Sequence, residues 1–278
     1  MEAQAQGFSN PITTRRVLMG VLVAVVGLAS ILVPWAFYVL VLVVGLVSIY
    51  ELDRLCEIKG QPLVYPVAVL GVVGYILLTA LQLLHKWEGV LLAVIVVASF
   101  GIGMYGEQKG YFARTAYTLL SVLYIGKLLT YFVLVRQVDG VGAWWTLFVV
   151  VTIALTDIFG MVIGTLIGRH PLTKISPKKT IEGSLGALIF VTVAAALLAV
   201  CPQFHLTWVQ GAVLGAVTCL AAQAGDLIES GLKRDAGVKD TGSVIVGHGG
   251  VLDRFDSYLF GGVAFFAMLH VLGILGMR

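Results

Sequence analysis

Ten of the chain's 33 charged residues fall between Asp226 and Asp256, in the run GDLIESGLKRDAGVKDTGSVIVGHGGVLDRFD that starts at Gly225. Asp226 and Glu229 stand three apart, which puts them on one face of a helix, and Asp253 and Asp256 repeat the interval. Two such pairs can converge on a hard cation. Magnesium takes oxygen ligands, keeps several waters, and binds one or two carboxylates together with substrate phosphates. Lys233, Arg234 and Lys239 would supply positive charge for phosphate oxygens, the arginine through its bidentate fork. Gly247-His248-Gly249-Gly250 offers a turn whose backbone N–H groups can approach an anion closely. The plainer alternative is a solvated basic loop, with Asp253 and Asp256 favoured by the dipole at a helix start. That alternative accounts for the basic residues but not for paired acidic residues at two helix boundaries.

A second run, Ser176-Pro177-Lys178-Lys179-Thr180-Ile181-Glu182-Gly183, sets lysines beside hydroxyls and reads as a phosphate cradle. Taken alone it would be an ordinary basic loop, with Glu182 in the first turn of the next helix. Asp157 lies deep in the apolar run LFVVVTIALTDIFGMVIGTLIG. A carboxylate there costs about 2.5–3.5 kcal/mol on insertion scales, so a functional role is its default. Gly160, Gly164 and Gly168 recur every four residues and read as close helix packing. Lys127 is either the ion partner of Asp157 or a snorkelling side chain, and Gln223 reads as a helix–helix hydrogen-bonding residue. Trp35, Trp87, Trp144, Trp145 and Trp208 read as anchors at membrane interfaces.

The elements that must position these groups follow from composition. The 278 residues are 59% hydrophobic and only 12% charged, with a mean hydropathy of +0.99. Soluble domains carry about 25% charged residues, so a soluble enzyme, a disulfide scaffold and a disordered chain are excluded. Apolar runs of about 20 residues suit spanning helices. Val17–Tyr50 is long enough for two, broken at Pro34. Further runs are Val64–Leu84, Gly89–Tyr105, Thr115–Val135, Trp144–Gly168, Gly183–Cys201, Leu206–Glu229 and Ser257–Met277. The expectation is an all-α, polytopic membrane bundle of about nine transmembrane helices. It divides into a polar tail (1–14), N-terminal helices (15–143) and a C-terminal catalytic region (144–278) with cytoplasmic loops 169–182 and 230–256. With the N-terminus cytoplasmic, fourteen of the 18 Lys and Arg residues face the cytoplasm and only Lys86, Arg136 and Arg278 lie opposite. Cys56, Cys201 and Cys219 show no metal-site spacing, and the last two read as small hydrophobes. No nucleic-acid partner is expected.

Ser230-x-Leu232-Lys233-Arg234, Lys239-Asp240 and His248-Gly249-Gly250-x-x-Asp253-Arg254-x-Asp256 together closely resemble the signature of the phosphatidate cytidylyltransferases (CDP-diacylglycerol synthases). The run from Ser176 to Gly183 looks like the same family's second conserved segment, and Gly225-Asp226 and Asp157 fall where that family places acidic residues. The resemblance spans about residues 150–260. Val246 departs from it, standing where the family usually has proline, which alters loop restraint without removing a ligand atom. The resemblance implies that CTP and phosphatidic acid give CDP-diacylglycerol and pyrophosphate in phospholipid biosynthesis, with magnesium and conceivably a monovalent cation. It implies Asp226, Asp253 and Asp256 as metal ligands. Lys233, Arg234, Lys239, Lys178 and Lys179 would hold phosphates, and Ser176, Thr180 and the His248 turn would orient CTP. Glu182, Asp240, Gly249, Gly250, Arg254 and Asp157 complete the substrate-binding set. Membrane lipids and a homodimer are the further partners it suggests, in the cell membrane with the site on the cytoplasmic side. Rival readings are a CTP-dependent enzyme acting on another lipid phosphate or alcohol, an ion- or proton-coupled transporter using Asp157, Lys127 and Asp226, and a non-catalytic lipid-binding scaffold.

Overall fold

The computed structural model describes residue 20 and residues 25–105, 110–204, 206–242 and 249–275. Its helices are α1 (Pro34–Ile58), α2 (Tyr65–Ala80), α3 (Leu84–Gly103), α4 (Tyr111–Ser121), α5 (Leu128–Arg136), α6 (Gly142–Ile167), α7 (Ile181–Ala199), α8 (Trp208–Asp235) and α9 (Leu252–Val271). A π-helical stretch, Val122–Lys127, joins α4 to α5 without a break. The all-helical expectation is met: no strand occurs among the described residues. Residues 25–32 are helical and end at a bend at Val33, so the chain does break at Pro34. Proline suits the first position of a helix, where its missing N–H would have had no partner.

Among the described residues six stretches, with α4 to α5 taken as one, are long and apolar enough to cross a membrane, and α2 is a shorter apolar helix of 16 residues. The protein is a multi-pass membrane protein. α3 covers 20 residues and begins at Leu84, before the expected start at Gly89.

Three expectations are corrected. First, α8 does not stop near Glu229 but continues to Asp235, so the loop before α9 is shorter than 230–256. The Glu229–Lys233 pair at i,i+4 and the basic side chains in the last turn both favour the extension. Second, Lys127 does not pair with Asp157; its partner is Glu88 of α3, and Tyr75 and Tyr131 flank its ammonium. Third, Trp145 is no interface anchor. It is 2% exposed and packs on Phe148, Phe204 and Phe265 at ring separations of 6.1, 5.3 and 6.0 Å. The other four tryptophans are exposed, as belt residues would be.

Two helix contacts set the site. Where α6 meets α7, a methyl group on Gly183 would stand 2.6 Å from the Gly160 carbonyl oxygen and 3.0 Å from Gly164 Cα. The glycines therefore serve close packing, and that packing fixes the helix carrying Asp157. Where α8 meets α9, a methyl on Gly225 would stand 2.5 Å from the Asp256 carbonyl oxygen. Further along, a methyl on Gly261 would meet Ala222 at 3.6 Å. These contacts run in opposite chain directions, so α8 and α9 are antiparallel with Asp226 facing Asp256 and Glu229 facing Asp253.

Candidate active site

That register pairs the two i,i+3 carboxylate sets across the helix boundary, and the two rungs have different surroundings. On the inner rung Glu229 is fully buried and meets the Lys233 ammonium as its ion-pair partner. Lys233 Nζ also donates to Asp253 Oδ1 at 2.7 Å. Asp253 Oδ2 accepts from the Thr241 N–H (3.0 Å), the Thr241 hydroxyl (2.9 Å) and the Gly250 N–H (2.8 Å). One lysine thus serves two carboxylates, and Asp253 is saturated by protein donors.

On the outer rung Asp226 and Asp256 lie within electrostatic reach of each other and of Asp157 on α6. The Ser257 hydroxyl donates to Asp157 Oδ1 at 3.2 Å, and the Ser257 N–H donates to Asp256 Oδ1 at 2.6 Å. Asp157 is exposed, whereas Asp256 is buried. Lys179 forms an ion pair with Asp226, and both Lys179 and Arg254 act electrostatically on Asp157. Three carboxylates from three helices thus lie within reach of Lys179, Arg254 and, at Asp256, Lys233 of the inner rung.

Lys179 arrives on a small hairpin. Pro171 bridges Thr180, Leu172 N–H donates to the Lys179 carbonyl at 2.7 Å, and Ile181 N–H donates to the His170 carbonyl at 2.9 Å. Thr180 is the N-cap of α7, its hydroxyl accepting from Gly183 N–H at 3.1 Å. Glu182 accepts from the N–H groups of Arg169 (3.1 Å) and His170 (3.2 Å), and His170 Nδ1 lies 2.5 Å from its Oε1. Both residues, expected to touch substrate, brace the hairpin on the helix. Ser176 forms the turn, with its carbonyl accepting from Lys179 N–H at 3.1 Å.

The remaining expected residues spread around this centre. Lys178, Lys239, Asp240 and Arg254 are exposed. Arg234 donates to the Val238 carbonyl at 3.0 Å and so closes the end of α8. Gly249 has φ +82°, and a methyl there would stand 2.9 Å from Asp253 Oδ2, so glycine is needed on both counts. The described part of the glycine turn aims its N–H at Asp253, a protein anion. His248, with Val246 and Gly247, lies outside the described residues.

The sequence reading missed Glu51. It sits near the end of α1, is 1% exposed, and accepts from Val251 N–H and Leu252 N–H, each at 2.8 Å, and from the Thr241 hydroxyl at 3.3 Å. It caps the start of α9 from the far end of the sequence, satisfying donors that α9 itself leaves unpaired. Gly250 permits this, because a methyl there would stand 2.6 Å from Glu51 Oε2. The available signal was a carboxylate placed directly after an uncharged apolar run.

Among the described residues, no three His, Cys, Asp or Glu side chains are gathered closely enough to chelate a metal as they stand. The expected set Asp226, Asp253 and Asp256 is divided: Asp253 is engaged on the inner rung, and Asp157 stands with the other two.

A sequence model described as the cytidylyltransferase family matches residues 13–272. The chain belongs to this family. It is 31% identical over 259 residues to the phosphatidate cytidylyltransferase of Bacillus subtilis (strain 168), covering 88% of this chain and 93% of that protein. Proteins of the same name from Staphylococcus haemolyticus (strain JCSC1435) and Staphylococcus aureus (strain COL) are each 32% identical, over 226 and 230 residues, covering 80% of this chain and 86% of each relative. As a cytidylyltransferase the protein is an enzyme of the nucleotidyltransferase class. The match takes in α1 with Glu51 as well as the C-terminal signature.

Proposed function

We propose that this cytidylyltransferase joins CTP to phosphatidate, giving CDP-diacylglycerol and pyrophosphate, at the cytoplasmic face of a bacterial plasma membrane. The reading is carried by the outer rung: Asp157 and Asp226, from within α6 and α8, converge with Asp256 in the first turns of α9, where Lys179 and Arg254 bring positive charge. The names of the relatives supply the substrates. The asymmetry of lysine and arginine between the loops supports the side.

In the reaction a phosphate oxygen of the lipid bonds to the α-phosphorus of CTP as the bond from that phosphorus to the bridging oxygen breaks, releasing pyrophosphate. The attacking phosphate is a monoester, largely ionised near neutral pH, so no strong base is needed. The protein's task is to bring two anions together and hold them in line. Lys179 can leave Asp226 for a phosphate oxygen, because the hairpin that carries it is held by its backbone bonds and by Thr180 and Glu182, not through the Lys179 side chain. Exposed Lys178 and Arg254 extend the positive surface.

The outer rung fits magnesium in donor type: its groups are all carboxylate oxygen, and of the cations that act on them Lys233 is already engaged by Glu229 and Asp253. Asp226 and Asp256, with Asp157 beside them, would hold it, and it would offset the charge gathering on the transferring phosphate. Asp253 would instead keep the loop and α9 in place. The test is incorporation of radiolabelled CTP into lipid by the purified protein, over a panel of phosphatidate, other lipid phosphates and isoprenoid alcohols, with magnesium or with chelator. Incorporation only with phosphatidate and magnesium is expected. Turnover with an alcohol alone, or undiminished turnover in chelator, would overturn the assignment.

A further inference from the structure

An apolar cavity of about 570 Å³ lies among α1, α5, α6, α9 and the residues preceding α1. Ligand cavities typically measure 300–1,000 Å³ and combine apolar walls with a few polar groups. Here the only polar side chains among the described lining residues are Arg254 and Tyr258, both on the first turns of α9. Arg254 is the side chain that also acts on Asp157, so the charged end of the cavity adjoins the outer rung.

The cavity runs along the helices and away from the carboxylates. On α6 its wall includes Ala154 and Val150, which lie three and seven residues before Asp157. At 1.5 Å per residue these are roughly 5 and 10 Å beyond that carboxylate. On α1 the facing wall runs from Val44 to Phe37, over roughly 10 Å of helix. Both walls thus extend about 10 Å, a large part of the roughly 15 Å depth of one leaflet.

We infer that this cavity receives one fatty acyl chain of the lipid phosphate substrate and measures its length. The inference rests on the proposed function, which places the lipid's phosphate at the outer rung. A chain hanging from a phosphate held there enters beside Arg254 and has only hydrocarbon around it down to Phe37. The arrangement separates recognition into a charged end that reads the headgroup and an apolar shaft that reads the tail.

The experiment compares dioctanoyl and dioleoyl phosphatidate as substrates for the full-length protein in mixed micelles. Val150→Phe fills the deep half of the shaft. It is expected to raise KM for the dioleoyl lipid about tenfold, the loss of roughly two buried methylenes, and to leave kcat/KM for the dioctanoyl lipid within about twofold. Equal effects on the two lipids, or none on either, overturn the inference. A second measurement uses the unaltered protein: phosphatidate with a diazirine at the chain terminus is photolysed and the labelled peptides are mapped. Label on residues 37–44 or 150–154 supports the shaft, and label confined to the exposed faces of α3 or α7 overturns it. Should the protein turn over no CTP, the proposed function falls while the photolabel still decides whether the cavity holds a lipid tail.

Discussion

The two rungs between α8 and α9 are built from the same residue types at the same interval, yet they are opposites. In the inner rung, Glu229 and Asp253 enclose Lys233, and every charge has a partner from within the protein. In the outer rung, Asp226 and Asp256 are joined by a third carboxylate, Asp157, and the pairing cation Lys179 comes from a separate hairpin. Motif spacing brings carboxylates together; the position of one lysine decides whether they are braced from within their own helix pair or answered from a separate hairpin.

The contrast can be broken most severely at Lys233, whose side chain is 12% exposed against 0% for Glu229. Lys233→Met strands two buried carboxylates, and loss of one partner of such a pair costs about 3–5 kcal/mol. Thermal unfolding in detergent should show the drop, and adding Glu229→Gln should restore part of it. An unchanged melting temperature would mean that the inner rung is not a brace. On the outer rung, Asp256→Asn should lower kcat by about 10²–10³-fold while thermal stability is kept, because it relieves crowding among like charges. A parallel fall in stability and rate would erase the distinction between the rungs.

A smaller effect is expected at the loop that joins them. Glu51→Ala leaves two N–H donors of α9 without their acceptor, at about 1–3 kcal/mol; amide hydrogen exchange at residues 249–253 should rise before the rest of the bundle loosens. The smallest effect belongs to the rim. Lys59 pairs with Asp235, and its ammonium donates a hydrogen bond to the Tyr117 hydroxyl oxygen at 3.1 Å. The bond to Asp235, and after it that to Tyr117, holds the Lys59 pKa above the ordinary lysine value. Its contribution is therefore complete at neutral pH and is lost only as pH climbs through that raised value. Asp235→Asn should cost less than about 1 kcal/mol, as exposed pairs do.

The helical class and the chemistry-bearing segments were legible because both are local: apolar runs, interleaved charges and three-residue intervals are visible along the chain. The convergence of the two carboxylate pairs was legible in outline, since two matched intervals invite a register. Which carboxylate each would face was not, because the direction and offset of α8 against α9 are set by Gly225 touching the Asp256 backbone. Thr180 and Glu182 illustrate the same limit. Their types suit phosphate binding and helix capping equally, and only the hairpin shows that their bonds go to the backbone. Glu51 lay beyond reach, since its donors are 190 to 201 residues away.

That separation also sets an order of assembly. A ribosome adding about 5–20 residues per second needs roughly 10–40 s to travel from Glu51 to the backbone donors it holds. During that interval the first long helix must wait in or beside the bilayer with a carboxylate whose native partners have not yet been synthesised. The cap on α9 therefore closes only after about 200 further residues have been added to α1. Interrupting the chain anywhere in between would leave an early helix with an acid group that nothing in the membrane can answer.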